Sequence, residues 1–142
     1  MSQWVYGVSI HKEGADHVVS VRDLPEVVTS GDTFEEALEL AADGVEVVVS
    51  ARMEQGRDLP LPSPVKRGEH TVPLPAPLAA KAAVYHAWKE AKVSKTELAR
   101  RLGRNEIEVR RILNPRHGTK LDQLEEAAKA LGGRLTVAFE QA

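Results

Sequence analysis

The chain has 142 residues, 42% hydrophobic and 28% charged, which suits one ordinary domain or two very small ones and excludes a disordered tail or a membrane protein. It contains no cysteine, which excludes disulfides, thiolate metal sites and cysteine nucleophiles. The net charge of −2 conceals a segregation of charge along the chain. Residues 1–64 carry four Lys/Arg and twelve Asp/Glu, whereas residues 65–142 carry 15 Lys/Arg and nine Asp/Glu. This segregation predicts two partners of opposite charge. We expect a cytoplasmic protein, since we find no signal peptide or membrane-spanning run.

The first 64 residues predict a small antiparallel sheet with one packed helix, an α+β arrangement. Apolar side chains alternate with period two from Trp4 to Ile10, which is typical of a strand with one buried face. After a turn at Gly14, residues 17–22 are predicted to form a second strand and residues 27–29 a short third one.

A helix is predicted to follow the third strand. Thr33 and Glu36 form a capping box, in which each side chain accepts a hydrogen bond from an N–H group at the helix start. Gly44 and the β-branched run at 45–49 disfavour a helix here. We nevertheless expect it to run to about Met53, because one apolar stripe stays in phase throughout. That stripe consists of Phe34, Leu38, Ala41, Val45 and Val48.

Proline marks the boundary between two domains. Six of the eight prolines lie between residues 60 and 77, and no helix is expected there because proline fixes φ and lacks an N–H donor. We therefore predict a first domain at residues 1–64, a Pro-rich linker at 65–77 and a second domain at 78–142. A short strand near residues 70–74 is compatible with this linker.

The second domain is predicted to be helical almost throughout. Capping boxes that begin at Ser94 and Asn105 open two of its helices, and Gly132 ends the last one. The four helices are expected at residues 78–92, 95–103, 106–114 and 121–131.

The tail of the second domain is predicted to be a strand. Leu135, Val137 and Phe139 alternate with other residues, but the helical domain offers the strand no neighbour to pair with. The same strand of a second copy could cover it through a C2 contact. These three residues are therefore the predicted dimerisation site.

The second and third helices of this domain form a helix-turn-helix candidate. Leu98 and Leu102 give the first of them an apolar stripe, and Ala99 is small where the two helices cross. Gly103 suits the turn, since glycine tolerates a positive φ. The inward side chains of the second helix are predicted to be Ile107, Val109, Ile112 and Leu113.

The outward side chains of this helix pair are of the types that contact DNA. Arg can form two hydrogen bonds with guanine and Asn with adenine, while Glu can accept one from cytosine. Basic and hydroxyl side chains at a helix N-terminus and in the flanking turns can hold phosphates. The predicted DNA-binding residues are Lys95, Thr96, Arg104, Asn105, Glu106, Arg110, Arg111, Asn114 and Lys120.

Two segments carry a resemblance to known families. Residues 95–114 resemble the helix-turn-helix of phage-repressor-like transcription factors. Residues 22–38, RDLPEVVTSGDTFEEAL, are similar to a signature of HicB-type antitoxins, in which an Asp-Leu-Pro-Gly-like turn leads through Thr-x-Gly-Asp-Thr into a helix. Arg22 and Glu26 depart from that signature, since proline and glycine are common there. The resemblance to HicB-type antitoxins covers nearly the full length, including the Pro-rich exit at residues 59–64.

This resemblance implies two binding functions. HicB-like proteins bind and silence HicA-type toxins, which are small basic ribonucleases that cleave mRNA, and they repress their own operon through the C-terminal domain. Their N-terminal domain resembles a partial ribonuclease H fold that acts as a binder. The implied partners are a HicA-like toxin and a palindromic operator DNA, the latter bound by a homodimer or a higher even-numbered oligomer.

The acidic half is where we expect a basic toxin to bind. Four carboxylates recur on one side of the predicted helix, although such a row is often only a solubilising face. Two further carboxylates lie in the turn before the third strand. The predicted toxin-binding residues are Asp23, Glu26, Glu35, Glu39, Asp43 and Glu46.

Other functions have less support in the sequence. A ribonuclease H-like fold invites a nuclease hypothesis, but the carboxylates that could hold Mg²⁺ have ordinary roles in turns, at a helix start and on a helix surface. The histidines lack metal-ligand spacing, so we expect no enzyme activity, metal or cofactor. The alternative that stays open is a DNA-binding transcriptional regulator whose first domain senses a small ligand.

Overall fold

Alternating residues near the start of the chain produce the two central strands of an antiparallel sheet. In the computed structural model, which describes residues 3–141, the strands are β1 (Val5–Glu13), β2 (Asp16–Val21), β3 (Val28–Gly31) and β4 (His70–Pro73). Their order across the sheet is β3-β2-β1-β4, and every neighbouring pair is antiparallel. The three strands predicted in the first 64 residues are confirmed.

The strand register places apolar side chains together on one face of the sheet. Tyr6 lies opposite Val72, and Val8 lies opposite Val21. All four side chains are buried, and α1 (Phe34–Glu54) packs against the sheet. The predicted α+β architecture, with one helix on a small antiparallel sheet, is therefore confirmed.

The helix α1 begins as its capping box predicts. The Thr33 hydroxyl oxygen accepts a hydrogen bond from the Glu36 N–H group at 3.1 Å. Glu35 and Glu36 lie in the first turn, where their negative charge is favourable to the helix dipole.

The buried stripe of α1 differs from the predicted one. Phe34, Leu38 and Val48 are only half-buried. Two of the five predicted positions, Ala41 and Val45, are buried as expected. The buried positions recur every four residues, so their line is inclined across the same side of the helix. Helix and sheet approach closely near its start, since a Cβ atom added to Gly31 would lie 2.6 Å from the Ala37 nitrogen. The buried residues are Ala37, Ala41, Val45, Val49 and Met53.

The segment predicted as a linker contributes to the sheet. Residues 65–77 include β4, and the Leu74 N–H group donates to the Trp4 carbonyl at 3.0 Å just beyond that strand. Pro73 is tolerated there because β4 is an edge strand. By its internal contacts the chain divides after residue 79, into an N-terminal unit of residues 1–79 and a C-terminal unit of residues 80–142.

The remaining elements are the four predicted helices, which are confirmed. They are α2 (Ala76–Ala91), α3 (Lys95–Leu102), α4 (Glu106–Leu113) and α5 (Leu121–Ala130). α3 packs against both α4 and α5, with Leu98, Val109 and Leu124 buried. Within residues 3–141, no helix has the length and apolar character needed to cross a membrane.

The predicted terminal strand is not confirmed. Residues 134–141 form no strand with the rest of the described chain. A strand takes its hydrogen bonds from a neighbouring strand, and a single copy of the C-terminal unit has no other strand to offer. The large apolar side chains of Val137 and Phe139 are therefore 84% and 91% exposed.

Candidate nucleic-acid interface and acidic face

Local sequence signals shape the helix-turn-helix. The Ser94 hydroxyl oxygen accepts a hydrogen bond from the Glu97 N–H group at 2.9 Å, which caps α3. Gly103 ends that helix in the left-handed conformation, with φ of 63°. Asn105 then caps α4, since its Oδ1 atom accepts from the Glu108 N–H group at 2.9 Å. The turn between the helices is thus three residues long, one more than the predicted helix bounds allow, because α3 ends at Leu102.

The inward face of α4 differs from the prediction at one position. Val109, Ile112 and Leu113 are buried as expected, but Ile107 is 58% exposed. Ile107 lies two residues before Val109, and helical side chains two positions apart point about 200° apart. Ile107 therefore adds an apolar side chain to the outward surface of α4.

Three predicted DNA-binding residues come together where α3 and α4 meet. Arg110 forms an ion pair with Glu106 one turn earlier, at 3.1 Å, and the Thr96 hydroxyl donates to the same carboxylate at 3.3 Å. All three groups lie near the protein surface. Glu106 therefore restrains the Arg110 guanidinium before any partner binds.

Other predicted DNA-binding residues already have partners within the protein. Arg104 forms an ion pair with Glu126 at 3.1 Å, and Asn105 is the cap of α4. The Asn114 Oδ1 atom accepts from the Arg116 N–H group at 2.9 Å. Each asparagine uses its oxygen in these bonds and keeps its NH₂ group for an outside acceptor.

Two exposed cations of this surface have no acidic partner within residues 3–141. These are Arg111, near the end of α4, and Lys120, the residue before α5. The other predicted lysine, Lys95, places its Nζ atom 5.9 Å from the centre of the Trp88 ring, a cation–π distance. Arg111 and Lys120 are therefore the predicted residues best placed to pair with phosphates or bases.

Sequence reasoning missed one buried residue of this region. Lys81 in α2 is only 4% exposed, and its ammonium group donates to the carbonyls of Arg111 and Ile112 and to the Thr119 hydroxyl. Burial lowers the pKa of Lys81 to about 8. A signal was present in the sequence, since Lys81 interrupts the apolar positions around Leu78 and Tyr85 in α2.

Two of the predicted toxin-binding carboxylates are committed to contacts within the N-terminal unit. Asp23 accepts hydrogen bonds from the N–H and hydroxyl groups of Ser63, both at 2.7 Å. Glu26 holds Arg52 through two hydrogen bonds of 2.7 and 2.8 Å, and these bonds lower the pKa of Glu26 to about 2. Both carboxylates thus tie the turn before β3 to distant parts of the chain.

The Glu26–Arg52 pair predicts a dependence of stability on pH. The pKa of Glu26 is about 2 in the folded chain and about 4.5 when unperturbed, so the pair contributes fully above about pH 4.5. Its contribution is lost as the pH falls through about 2. We expect the Tm difference between wild type and Glu26→Gln to shrink over this range.

Thermal unfolding followed by circular dichroism between pH 2 and 7 measures this difference. Arg52→Gln is the matched variant, because it removes the other half of the same pair and should also flatten the pH dependence. A Tm difference that stays constant down to pH 2 would contradict the assignment.

The other four predicted toxin-binding residues form an exposed acidic row on α1. Glu35, Glu39, Asp43 and Glu46 are all exposed, and none has an ion pair within residues 3–141. Their spacing places them along one side of the helix. Val47, which is 66% exposed, lies next to the last of them in sequence. The row is therefore available to a basic partner.

A second ion pair that sequence reasoning missed, between Arg22 and Glu69, holds the Pro-rich segment near the end of β2. Arg22 pairs with Glu69 at 2.9 Å and also donates to the Pro64 carbonyl at 3.2 Å. The Glu69 carboxylate lies where a side chain at Gly7 would be, because a Cβ added there would approach it to 2.4 Å. Arg22 and Glu26, which depart from the family signature, thus each take part in a long-range ion pair.

Neither a metal site nor an enclosed pocket accompanies these surfaces in the described residues. Within residues 3–141, no group of three His, Cys, Asp or Glu side chains converges as a metal site. A concavity of about 720 Å³ lies against β2, but it is open to solvent. Its lining includes Ser9, Ser20, Val28 and Lys66. It is not the buried polar pocket that a sensor of a small ligand would need.

The fold and these surfaces define a two-unit regulatory protein, with an acidic α+β unit followed by a helix-turn-helix unit. Residues 5–83 match the family described as HicB-like antitoxin of bacterial toxin-antitoxin system. Antitoxin HicB 1 of Photorhabdus laumondii is 39% identical over 128 residues, covering 90% of this chain and 81% of that protein. Antitoxin HicB of Escherichia coli K12 is 36% identical over 121 residues, covering 85% and 88%.

A further relative, antitoxin HicB of Pseudomonas fluorescens Pf0-1, is 34% identical over 138 residues, covering 96% of this chain and 94% of that protein. Because it covers 96% of the chain, this last alignment includes the helix-turn-helix as well as the sheet. The chain therefore belongs to the HicB-like antitoxin family of bacterial toxin–antitoxin systems.

Proposed function

We propose that the N-terminal unit binds and neutralises a HicA-like, mRNA-cleaving toxin and that the C-terminal unit represses the operon by binding operator DNA. The observation that carries this proposal is that two surfaces of opposite charge lack oppositely charged partners within the described residues. The acidic row of α1 has no basic partner within residues 3–141, and Arg111 and Lys120 have no acidic one. The protein thus acts by binding rather than by catalysis, in the cytoplasm where mRNA and operon are found.

Charge complementarity supports the proposed binding of the toxin. Four exposed carboxylates on one helix attract a basic protein during encounter and disfavour acidic competitors. Because α1 also packs against the sheet, the row sits on a rigid element rather than a loop. Asp23 and Glu26 support this surface indirectly, by holding the turn that precedes β3.

The geometry of α3 and α4 supports the proposed binding of operator DNA. The two capped helices and their three-residue turn match a helix-turn-helix, whose second helix enters the major groove. Such motifs bind palindromic operators as dimers. We infer that the exposed Val137 and Phe139 take part in that dimer, together with Leu135, in a homodimer or a higher even-numbered oligomer.

Co-expression with the neighbouring small open reading frame tests the proposal as a whole. If that frame encodes the toxin, its expression alone should arrest growth, and this chain should restore growth and co-purify with it. A harmless neighbour that forms no complex would overturn the proposed binding of the toxin. Operator binding would then be tested separately, by a gel shift with a duplex taken from the region upstream of the operon.

Arg111 is expected to be a principal DNA contact. Because its guanidinium has no acidic partner within residues 3–141, Arg111→Ala should cost about 1–3 kcal/mol of operator binding if the side chain reads a base. Fluorescence anisotropy with the operator and a scrambled duplex measures both affinities. Equal losses on the two duplexes would identify a phosphate contact instead.

The matched control for Arg111→Ala is Lys12→Ala. Lys12 is exposed on β1 in the acidic unit, so its removal changes the net charge equally without touching the helix-turn-helix. Operator affinity should stay within about twofold of wild type. A loss like that of Arg111→Ala would mean that overall charge, rather than a contact from α4, governs binding.

A further inference from the structure

A lysine of α2 caps the C-terminal end of α4, the second helix of the helix-turn-helix. The Lys81 Nζ atom lies 2.9 Å from the Arg111 carbonyl oxygen and 3.0 Å from that of Ile112, both in the last turn of α4. It lies 2.7 Å from the Thr119 hydroxyl oxygen, in the loop between α4 and α5. One ammonium group therefore joins three elements of the C-terminal unit.

The ammonium group at this junction has as many donors as there are acceptors around it. A lysine ammonium has three N–H donors, and here each of them meets an oxygen acceptor. The last carbonyls of a helix lack partners further along the helix, and a cation at that end also interacts favourably with the helix dipole. α4 has only eight residues, so the two carbonyls that Lys81 caps are a quarter of those in the helix.

Lys81 is also the one charged side chain that is buried in the described part of the chain. Burying a charge is costly unless it is fully hydrogen-bonded, and here three acceptors meet the ammonium group. The residues around the junction include Arg111, Asn114 and Lys120, all predicted to contact DNA.

We propose that Lys81 is a positioning residue for operator binding, which holds the last turn of α4 and the following loop in the arrangement that contacts DNA. This inference rests on the operator binding proposed above. Lys81 itself is not expected to touch DNA, since its side chain is buried and its donors are used within the protein.

Lys81→Met tests the inference, because methionine keeps the length of the side chain and removes its donors. We expect operator affinity to fall about tenfold, the size of losing one base contact, while affinity for a scrambled duplex changes less than twofold. Amide hydrogen exchange in residues 110–113 should accelerate about tenfold relative to α3. Lys129→Met, which removes an exposed lysine of α5, is the control and should change neither.

Thr119→Val keeps the inference testable if Lys81→Met fails to fold. This milder variant removes one of the three acceptors and should weaken operator binding about threefold, again with little effect on the scrambled duplex. Unchanged operator affinity in a folded Lys81→Met or, failing that, in Thr119→Val would overturn the inference. If wild type itself does not bind the operator, the proposed binding of operator DNA fails, and the exchange rates in α4 then decide whether Lys81 holds that helix.

Discussion

Replacing Glu39 and Asp43 with lysine is expected to weaken toxin binding about a hundredfold and to abolish rescue of growth. Both carboxylates lie in the middle of the acidic row of α1, exposed and without an ion pair within residues 3–141. Placing two lysines against a basic partner replaces attraction with repulsion, and like charges in contact cost several kcal/mol. Calorimetry with the purified toxin measures the affinity, and co-expression measures rescue.

The matched control for this variant reverses two other exposed carboxylates of the same unit. Glu13→Lys with Asp16→Lys changes the net charge equally, at the hairpin between β1 and β2. Toxin affinity should then fall only by the smaller amount due to long-range attraction. Equal losses in the two double variants would show that net charge matters and location does not. Unchanged affinity in Glu39→Lys/Asp43→Lys would remove the row from the toxin site.

Removing residues 134–142 is expected to make the protein monomeric and to weaken operator binding a hundredfold or more. The segment carries two of the three most exposed large apolar side chains of the described chain, Val137 and Phe139, and it has no strand partner there. A monomer can occupy only one half-site, and linking two binding modules raises overall affinity by about 10²–10⁴. Sedimentation and a gel shift measure the two effects.

Point variants distinguish loss of the dimer from damage caused by truncation. Val137→Lys with Phe139→Lys places charges on the face predicted to meet the second copy. Thr136→Lys with Ala138→Lys places the same charges on the alternate positions of the predicted strand. Only the first pair should produce monomers. A truncated chain that remains fully dimeric would show that another surface makes the dimer.

These variants also separate the two proposed activities. Glu39→Lys/Asp43→Lys lies in the N-terminal unit and should leave binding of the isolated antitoxin to its operator nearly unchanged. Arg111→Ala lies in the C-terminal unit and should leave toxin affinity unchanged. Reciprocal effects between the sites would instead reveal a coupling free energy, which must appear equally in toxin binding and in operator binding.

Signals carried by neighbouring residues were sufficient to predict most elements. Thr33, Ser94 and Asn105 each cap a helix as predicted, because a cap depends on a side chain and an N–H group only three residues apart. The alternation in β1 and the glycine at position 103 are equally local signals. The same reasoning located the helix-turn-helix and the acidic row of α1.

Contacts between distant residues were decided by the tertiary structure alone. Asp23 meets Ser63, and Glu26 meets Arg52, so two carboxylates that look available in the sequence are used internally. The inclined line of buried positions in α1 depends on how the helix crosses the sheet, which the sequence pattern does not specify. A short strand near residues 70–74 was compatible with the sequence, but its pairing with β1 was visible only in the structure.

The helices, the central strands and the division of charge are thus predictable from residues that lie close together in the chain. Which charges remain available to partners, and which are used within the protein, depends instead on contacts that form on folding. Lys81 illustrates the difference, because its acceptors lie 30 to 38 residues further along the chain. Only folding brings such groups within hydrogen-bonding distance, and no local pattern specifies them.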